Sequence, residues 1–224
     1  MAYDQNRYQS LIQRAAFNAE FFRGTIQDLS SAQRAMSFVG APTFGRVNGH
    51  PCLKQNAAGD GVTSGNVANI VDVTSPFFLE AIFGVFPGDL PCYIIQQGVA
   101  TFGGFIWYWS ASGRLYQLEI YDAAAGAART LSTPVDSQPA RTLRHALFAV
   151  SPLSALTWIN GIPVTPLVTN TRVPTNCAPR PLRVLATLGG GCQAMIARVW
   201  QGTPTNEQVN DLYQAARELT SGEV

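Results

Sequence analysis

Between Phe77 and Trp200 one pattern recurs: an apolar-rich run of four to ten residues, then Gly, Pro, Asp, Asn or Ser. The runs include FFLEAIFGVF, CYIIQQG, GFIWYWS, RLYQLEIY, TLRHALFAV, ALTWI, IPVTP, PLRVLATL and AMIARVWQG. Runs of this length, rich in β-branched and aromatic residues and punctuated by turn formers, predict strands. In RLYQLEIY, Tyr116, Leu118 and Ile120 fall on one face, and Leu115, Gln117, Glu119 and Tyr121 on the other, as the two-residue period of a strand requires. Asn160-Gly161, between ALTWI and IPVTP, predicts a type I′ hairpin because both central positions of that turn need positive φ. SASG, Ser110 to Gly113, reads as another hairpin turn. About eight to twelve short strands without intervening helices predict two antiparallel sheets packed face to face.

Both ends depart from this rhythm. Tyr8, Leu11, Ile12, Ala15, Ala19 and Phe22 follow helical spacing, so residues 1–22 read as an amphipathic arm ahead of a sandwich over residues 23–224. A helix this short is marginal alone in water and must lie against its own sandwich or a neighbouring subunit. At the other end, Thr205 with Gln208 forms a capping-box signature, and Val209, Leu212, Tyr213 and Ala216 share one face, predicting a helix over 205–219.

Charge is sparse: 13% of residues are Asp, Glu, Lys or Arg, against about a quarter in an ordinary soluble domain. Lys54 is the sole lysine among 15 cationic residues. Arg is enriched and Lys depleted at protein interfaces, so this bias points to contact with partners, including a homo-oligomer. A net charge of +1 without a basic cluster argues against a nucleic-acid partner. No apolar stretch suits a membrane span or a signal peptide, so the expectation is a chain made in a host cytoplasm. On that footing the four cysteines, Cys52, Cys92, Cys177 and Cys192, are expected as buried thiols.

RHALFAVSPLSALTWINGIPV followed by PLRVLATLGGGCQAMIARVWQGTPTNEQVNDLY resembles the carboxy-terminal half of a laminin-G-like domain of the concanavalin A-like lectin/glucanase superfamily. FFRGTIQDLSSAQRAMSFVGAPTFGRVNGHPCLKQNAAGDGV and SPFFLEAIFGVF are similar to the opening strands of such domains, which extends the likeness over roughly Phe21 to Leu212. The resemblance implies an all-β jelly-roll sandwich, here with an N-terminal helical arm and a short C-terminal helix. It says little about the ligand, since one fold serves many functions. Arg144 stands where the family usually has an aromatic, and no Asp/Asn cluster marks a calcium site.

Catalytic signatures are lacking. Glu119 and Asp122 have opposite strand parity, whereas a retaining glycosidase needs two carboxyls on one face. His145 and His50 have no G-x-S-x-G partner, and the Gly-rich segments GDGVTSG and TLGGGC lack the phosphate-loop spacing and read as turns. No catalytic residue, metal ligand or cofactor is therefore expected. In GFIWYWS, Phe105, Trp107 and Trp109 share one face, with Ile106 and Tyr108 on the other. Exposed Trp can stack on a sugar or anchor a protein partner.

Two functions follow as expectations. The first is a structural protein of a phage particle, a capsid decoration or a tail or fibre component. It would assemble with copies of itself and with other virion shell or tail proteins through an arm built on Tyr8, Leu11, Ile12 and Phe22. The second is a lectin-like module that binds a host-surface glycan through Trp107, Trp109 and Tyr121.

Overall fold

A computed structural model describes the chain except for residues 1–3, 86–90, 100–102, 111–114, 123–125, 135–141, 152–153, 170–171 and 187–190. Helix α1 (Gln5–Gln13) leads into strand β1 (Phe17–Glu20) and a 3-10 turn (Phe21–Arg23). Four strands follow: β2 (Met36–Val39), β3 (Thr43–Val47), β4 (His50–Lys54) and β5 (Gly61–Val67). Next come β6 (Phe77–Val85), β7 (Cys92–Val99), β8 (Gly103–Ser110), β9 (Leu115–Asp122), β10 (Gly126–Ser132) and β11 (Leu143–Val150). The remainder is β12 (Ala155–Ile159), β13 (Ile162–Val164), β14 (Leu167–Thr169), β15 (Arg180–Val184), β16 (Cys192–Gln201) and α2 (Asn206–Leu219).

The strands form two sheets. Sheet I has the order β13-β12-β11-β6-β16-β4-β3, with β1 sharing the outer edge of β16 with β4. Sheet II runs β14-β10-β9-β8-β7-β15-β5-β2. The predicted antiparallel sandwich is thus the fold, with sixteen strands among the described residues where about eight to twelve were expected. Most of GDGVTSG, expected as a turn, lies in β5. The turn expected in SASG and most of TLGGGC lie outside the described residues.

The interior is filled from both sheets. Phe77, Leu79, Ala81 and Phe83 of β6, with Ala146, Phe148 and Val150 of β11, meet Phe105, Trp107, Tyr116, Leu118 and Ile120 of sheet II. Trp107 packs on Phe148 with ring centroids 5.4 Å apart, and Phe83 meets Tyr116 edge-on at 5.7 Å. Each such side chain contributes roughly 1.5–3 kcal/mol through removal from water. Cys92 and Cys192, expected as thiols, are joined as a disulfide between β7 and β16, with Cα atoms 5.6 Å apart. The two strands lie in opposite sheets, a juxtaposition that spacing in the chain does not encode.

Both helices pack on the outer face of sheet I. Asp4 caps α1 by accepting from the backbone N–H of Asn6 and Arg7, and Thr205 with Gln208 forms the predicted capping box on α2. Between helices and sheet lie Leu11, Ile12, Phe78, Leu147, Trp200 and Leu212. The Trp200 indole stacks on Phe78 at 4.6 Å and donates to the carbonyl of Leu11 at 2.9 Å. Asn160 and Gly161, with φ of 49° and 74°, make the predicted turn between β12 and β13.

Candidate functional site

The periodicity of β8 decides which aromatic residues are available to a ligand. Trp107 pairs with Leu118 and Trp109 with Tyr116, and all four point into the interior. Trp107 is 0% exposed and Trp109 7%, so neither offers a ring face to solvent. Tyr121 pairs with Gly104 on the opposite, outer face. The stacking surface expected from Trp107, Trp109 and Tyr121 is therefore divided between two faces of one sheet, and only Tyr121 lies on the outer one. The reason is the sandwich itself: the largest apolar rings of each strand go to the side with no water.

The arm residues are also placed. Leu11 and Ile12 are buried against Trp200 and Leu212 of the same chain with half-buried Tyr8 packed on them, while half-buried Phe22 packs on a separate cluster that includes Ile82, Ile196 and Ala216. This settles the alternative of own sandwich or neighbour: residues 5–13 cover the chain's own sheet, which leaves Leu11 and Ile12 inaccessible to a docking partner.

Beneath the helices, Arg198 donates through Nη1 to Glu80 at 3.0 Å, through Nη2 to Glu20 at 2.6 Å and through Nε to Asn18 at 2.9 Å. His145 Nε2 lies 3.0 Å from the other oxygen of Glu80. Burial opposes ionisation of both carboxyls, yet Arg198 overcomes it and holds Glu80 and Glu20 below the usual glutamate range. A cavity of about 460 Å³ reaches this network, but all three nitrogens of the guanidinium already donate to protein acceptors. The network has the character of a structural cluster.

The outer face of sheet II is different. Strand register lines up one cross-strand row, Ser37–Thr63–Arg183–Gln96–Ile106–Glu119–Thr130–Thr169, spanning all eight strands. Beside it runs a second row, Tyr93–Tyr108–Gln117–Ser132. Tyr93 and Tyr108 stack with centroids 5.2 Å apart. Tyr108 donates to Glu119 Oε1 at 2.9 Å, and Tyr121 donates to Glu119 Oε2. Partial burial, reinforced by this carboxylate, pushes the phenols of Tyr108 and Tyr121 well above their usual range, so they remain neutral donors.

An open groove of about 610 Å³ follows the first row, lined by Thr63, Ser64, Tyr93, Gln96, Ile106 and Arg183 among others. Gln96 is 5% exposed, yet among the described residues its carboxamide has no hydrogen-bond partner. Arg183 is exposed and makes no ion pair with a described residue. A carboxamide lining a groove can donate to and accept from a group that enters it. Sequence reasoning missed Tyr93, Gln96 and Arg183. The legible signal was the parity of GFIWYWS: once Trp107 and Trp109 face inward, Tyr108 and its lateral neighbours face outward.

No family model matches the chain, and no curated protein shows a significant match. Solved structures do share the fold. The chain is similar to the binding domain of Paraclostridial Mosquitocidal Protein 1, with a TM-score of 0.73 and 12% identity over 92% of this chain and 53% of that one. It is similar to the botulinum neurotoxin serotype G binding domain, with a TM-score of 0.68 and 12% identity over 90% of this chain and 51% of that one. A third likeness is to the botulinum neurotoxin serotype D ligand binding domain in complex with N-acetylneuraminic acid, with a TM-score of 0.72 and 9% identity over 93% of this chain and 52% of that one. The chain spans about half the length of these chains. At such identities the likeness establishes the β-sandwich fold and nothing finer.

Proposed function

We propose that the protein is a non-catalytic binding module that takes a carbohydrate in the groove on the outer face of sheet II. The observation that carries this reading is Gln96, a groove-lining carboxamide that makes no hydrogen bond to a described residue. Hydroxyl pairs on a sugar ring match an amide, which can donate and accept at once. The Tyr93 ring beside it offers a flat apolar surface for the C–H face of the same ring. Arg183, at the groove wall and in no ion pair with a described residue, favours a saccharide bearing a carboxylate. The similar structures named above are binding domains, which supports ligand recognition over the particle-building role anticipated from composition.

The test is a glycan array on the intact protein, repeated with Gln96→Ala and Arg183→Ala. Binding of an acidic glycan that falls at least about tenfold in both variants, with thermal unfolding unchanged, is the expected result. Binding that survives both substitutions would place the ligand elsewhere.

A second reading, self-assembly within a phage particle, is favoured by one observation. Phe38 and Phe44, 50% and 40% exposed, meet edge-on at 6.3 Å and bring together the terminal strands β2 and β3 of the two sheets. Exposed apolar edges suit contacts between subunits. Sedimentation of the wild type and of Phe44→Asp at increasing concentration tests it. A wild type that stays monomeric excludes this edge as an assembly surface.

A further inference from the structure

A second cavity lies away from the sheet II groove, between the two layers near the ends of β10 and β11. Its origin is a β-bulge. On β10, Ala127 pairs with Tyr121 and Arg129 with Ile120, so two steps on β10 match one step on β9. Bulges of this kind turn a side chain towards the other face of a sheet. Arg129 is thereby set opposite Ile120, an interior residue, and is 7% exposed. Its guanidinium reaches across to sheet I and donates through Nη1 to the carbonyl of Ser151, just beyond β11.

That carbonyl is the only hydrogen-bond partner of Arg129 among the described residues, although a guanidinium carries five N–H donors. No described carboxylate lies within ion-pair distance. Asp72, next in sequence to Val73, is already occupied by Thr74, Ser75 and Asn176 through contacts of 2.7, 2.8 and 2.7 Å. Burial therefore acts on Arg129 without compensation and lowers its pKa. A nine-tenths buried cation without a counter-ion is costly and is normally paired.

The remaining donors face a cavity of about 430 Å³. Val73, Val150 and Val168 give it an apolar wall, and Ser154 and Arg172 also line it. A ligand fitting this setting needs an anionic head for the fork of Arg129 and a compact apolar body for the valines. Sulfate supplies the charge without the body, and a neutral sugar supplies neither. We propose that this cavity binds a small organic carboxylate, with its carboxylate on Arg129 and its apolar part against Val73, Val150 and Val168. The site is independent of the groove on sheet II, so the failure of either reading leaves the other standing.

Benzoate is the probe, titrated against the full chain by methyl-detected NMR, with benzamide and sulfate as controls. The expected result is a saturable shift confined to the methyls of Val73, Val150 and Val168. Benzamide should bind at least about tenfold more weakly, because it lacks the charge that a bidentate Arg contact rewards. Arg129→Met should abolish benzoate binding while raising the thermal midpoint of the free protein, since it removes a buried cation that no described carboxylate pairs. Arg129→Lys should keep only part of the affinity, through loss of the planar fork. Equal affinity for benzamide, or shifts spread away from the three valines, would overturn the proposal. So would an Arg129→Met protein that folds but melts lower, because Arg129 would then serve only to bridge the two sheets. If Arg129→Met does not fold, the benzoate and benzamide titrations of the wild type decide alone.

Discussion

Arg198 and Glu80 face each other across the central strand pair of sheet I, paired in register and joined at 3.0 Å, with both side chains almost wholly removed from water. The pair lies where β16 and β6 meet, under the helical layer, and extends to Glu20, Asn18 and His145. Its energetic signature is asymmetric: removing one partner strands the other, whereas replacing both with apolar groups of similar volume is mild. Glu80→Leu is expected to cost about 3–5 kcal/mol in urea denaturation. The double variant Glu80→Leu/Arg198→Met should recover part of that loss. A single-variant cost below about 1 kcal/mol would mean that water reaches the network and screens it.

Acid sensitivity follows from the same cluster. Glu80 and Glu20 have folded-state pKa values held below the usual glutamate value, because the pull of Arg198 outweighs burial. For a carboxyl with a depressed folded pKa, the stabilisation is complete above its unfolded value and is lost as pH falls through the folded one. Thermal midpoints should therefore be flat above about pH 5 and decline below about pH 4. Glu20→Gln should lower the plateau and flatten the acid decline. An undiminished decline in that variant would assign it to other carboxyls.

The architecture was legible because strand parity and turn chemistry are local. Asn160-Gly161, the Thr205–Gln208 box and the alternation of RLYQLEIY each predicted what the structure holds. The site was less legible because it depends on lateral neighbours. Arg183, Gln96 and Ile106 become adjacent only through the pairing of β15, β7 and β8, which lie far apart in the chain. Parity within GFIWYWS separated Trp107 from Tyr108 but left open which side is wet, since a sheet's two faces are equivalent until a second layer covers one. The disulfide between Cys92 and Cys192 was hidden for the same reason, being a contact between sheets.

Core and groove aromatics should separate cleanly on substitution. Trp107 fills the interior against Phe148, so Trp107→Ala is expected to cost about 3–5 kcal/mol, the range for a large buried aromatic. Tyr93 is half-buried at the groove, so Tyr93→Ala should cost no more than about 1.5 kcal/mol, through its lost contact with Tyr108. Chemical denaturation gives both numbers. Glycan binding measured on the folded fraction should then fall for Tyr93→Ala and persist for Trp107→Ala. The reverse order would return the ligand to the Trp face.

The hairpin turn is bound to the C-terminal helix by steric fit, and this is testable at one glycine. Gly161 has φ of 74°, and a Cβ built there would lie 2.4 Å from the ring of Tyr213 on α2. Two costs then add: about 1–2 kcal/mol for a left-handed backbone at a residue with a side chain, and about 1–3 kcal/mol for forcing the ring aside. Gly161→Ala is thus expected to destabilise the protein by about 2–5 kcal/mol in chemical denaturation. Tyr213→Ala removes the obstructing ring, so adding Gly161→Ala to that background should cost only the backbone share. An undiminished cost in the Tyr213→Ala background would show that the turn's conformation, rather than its fit to α2, is what requires glycine at this position.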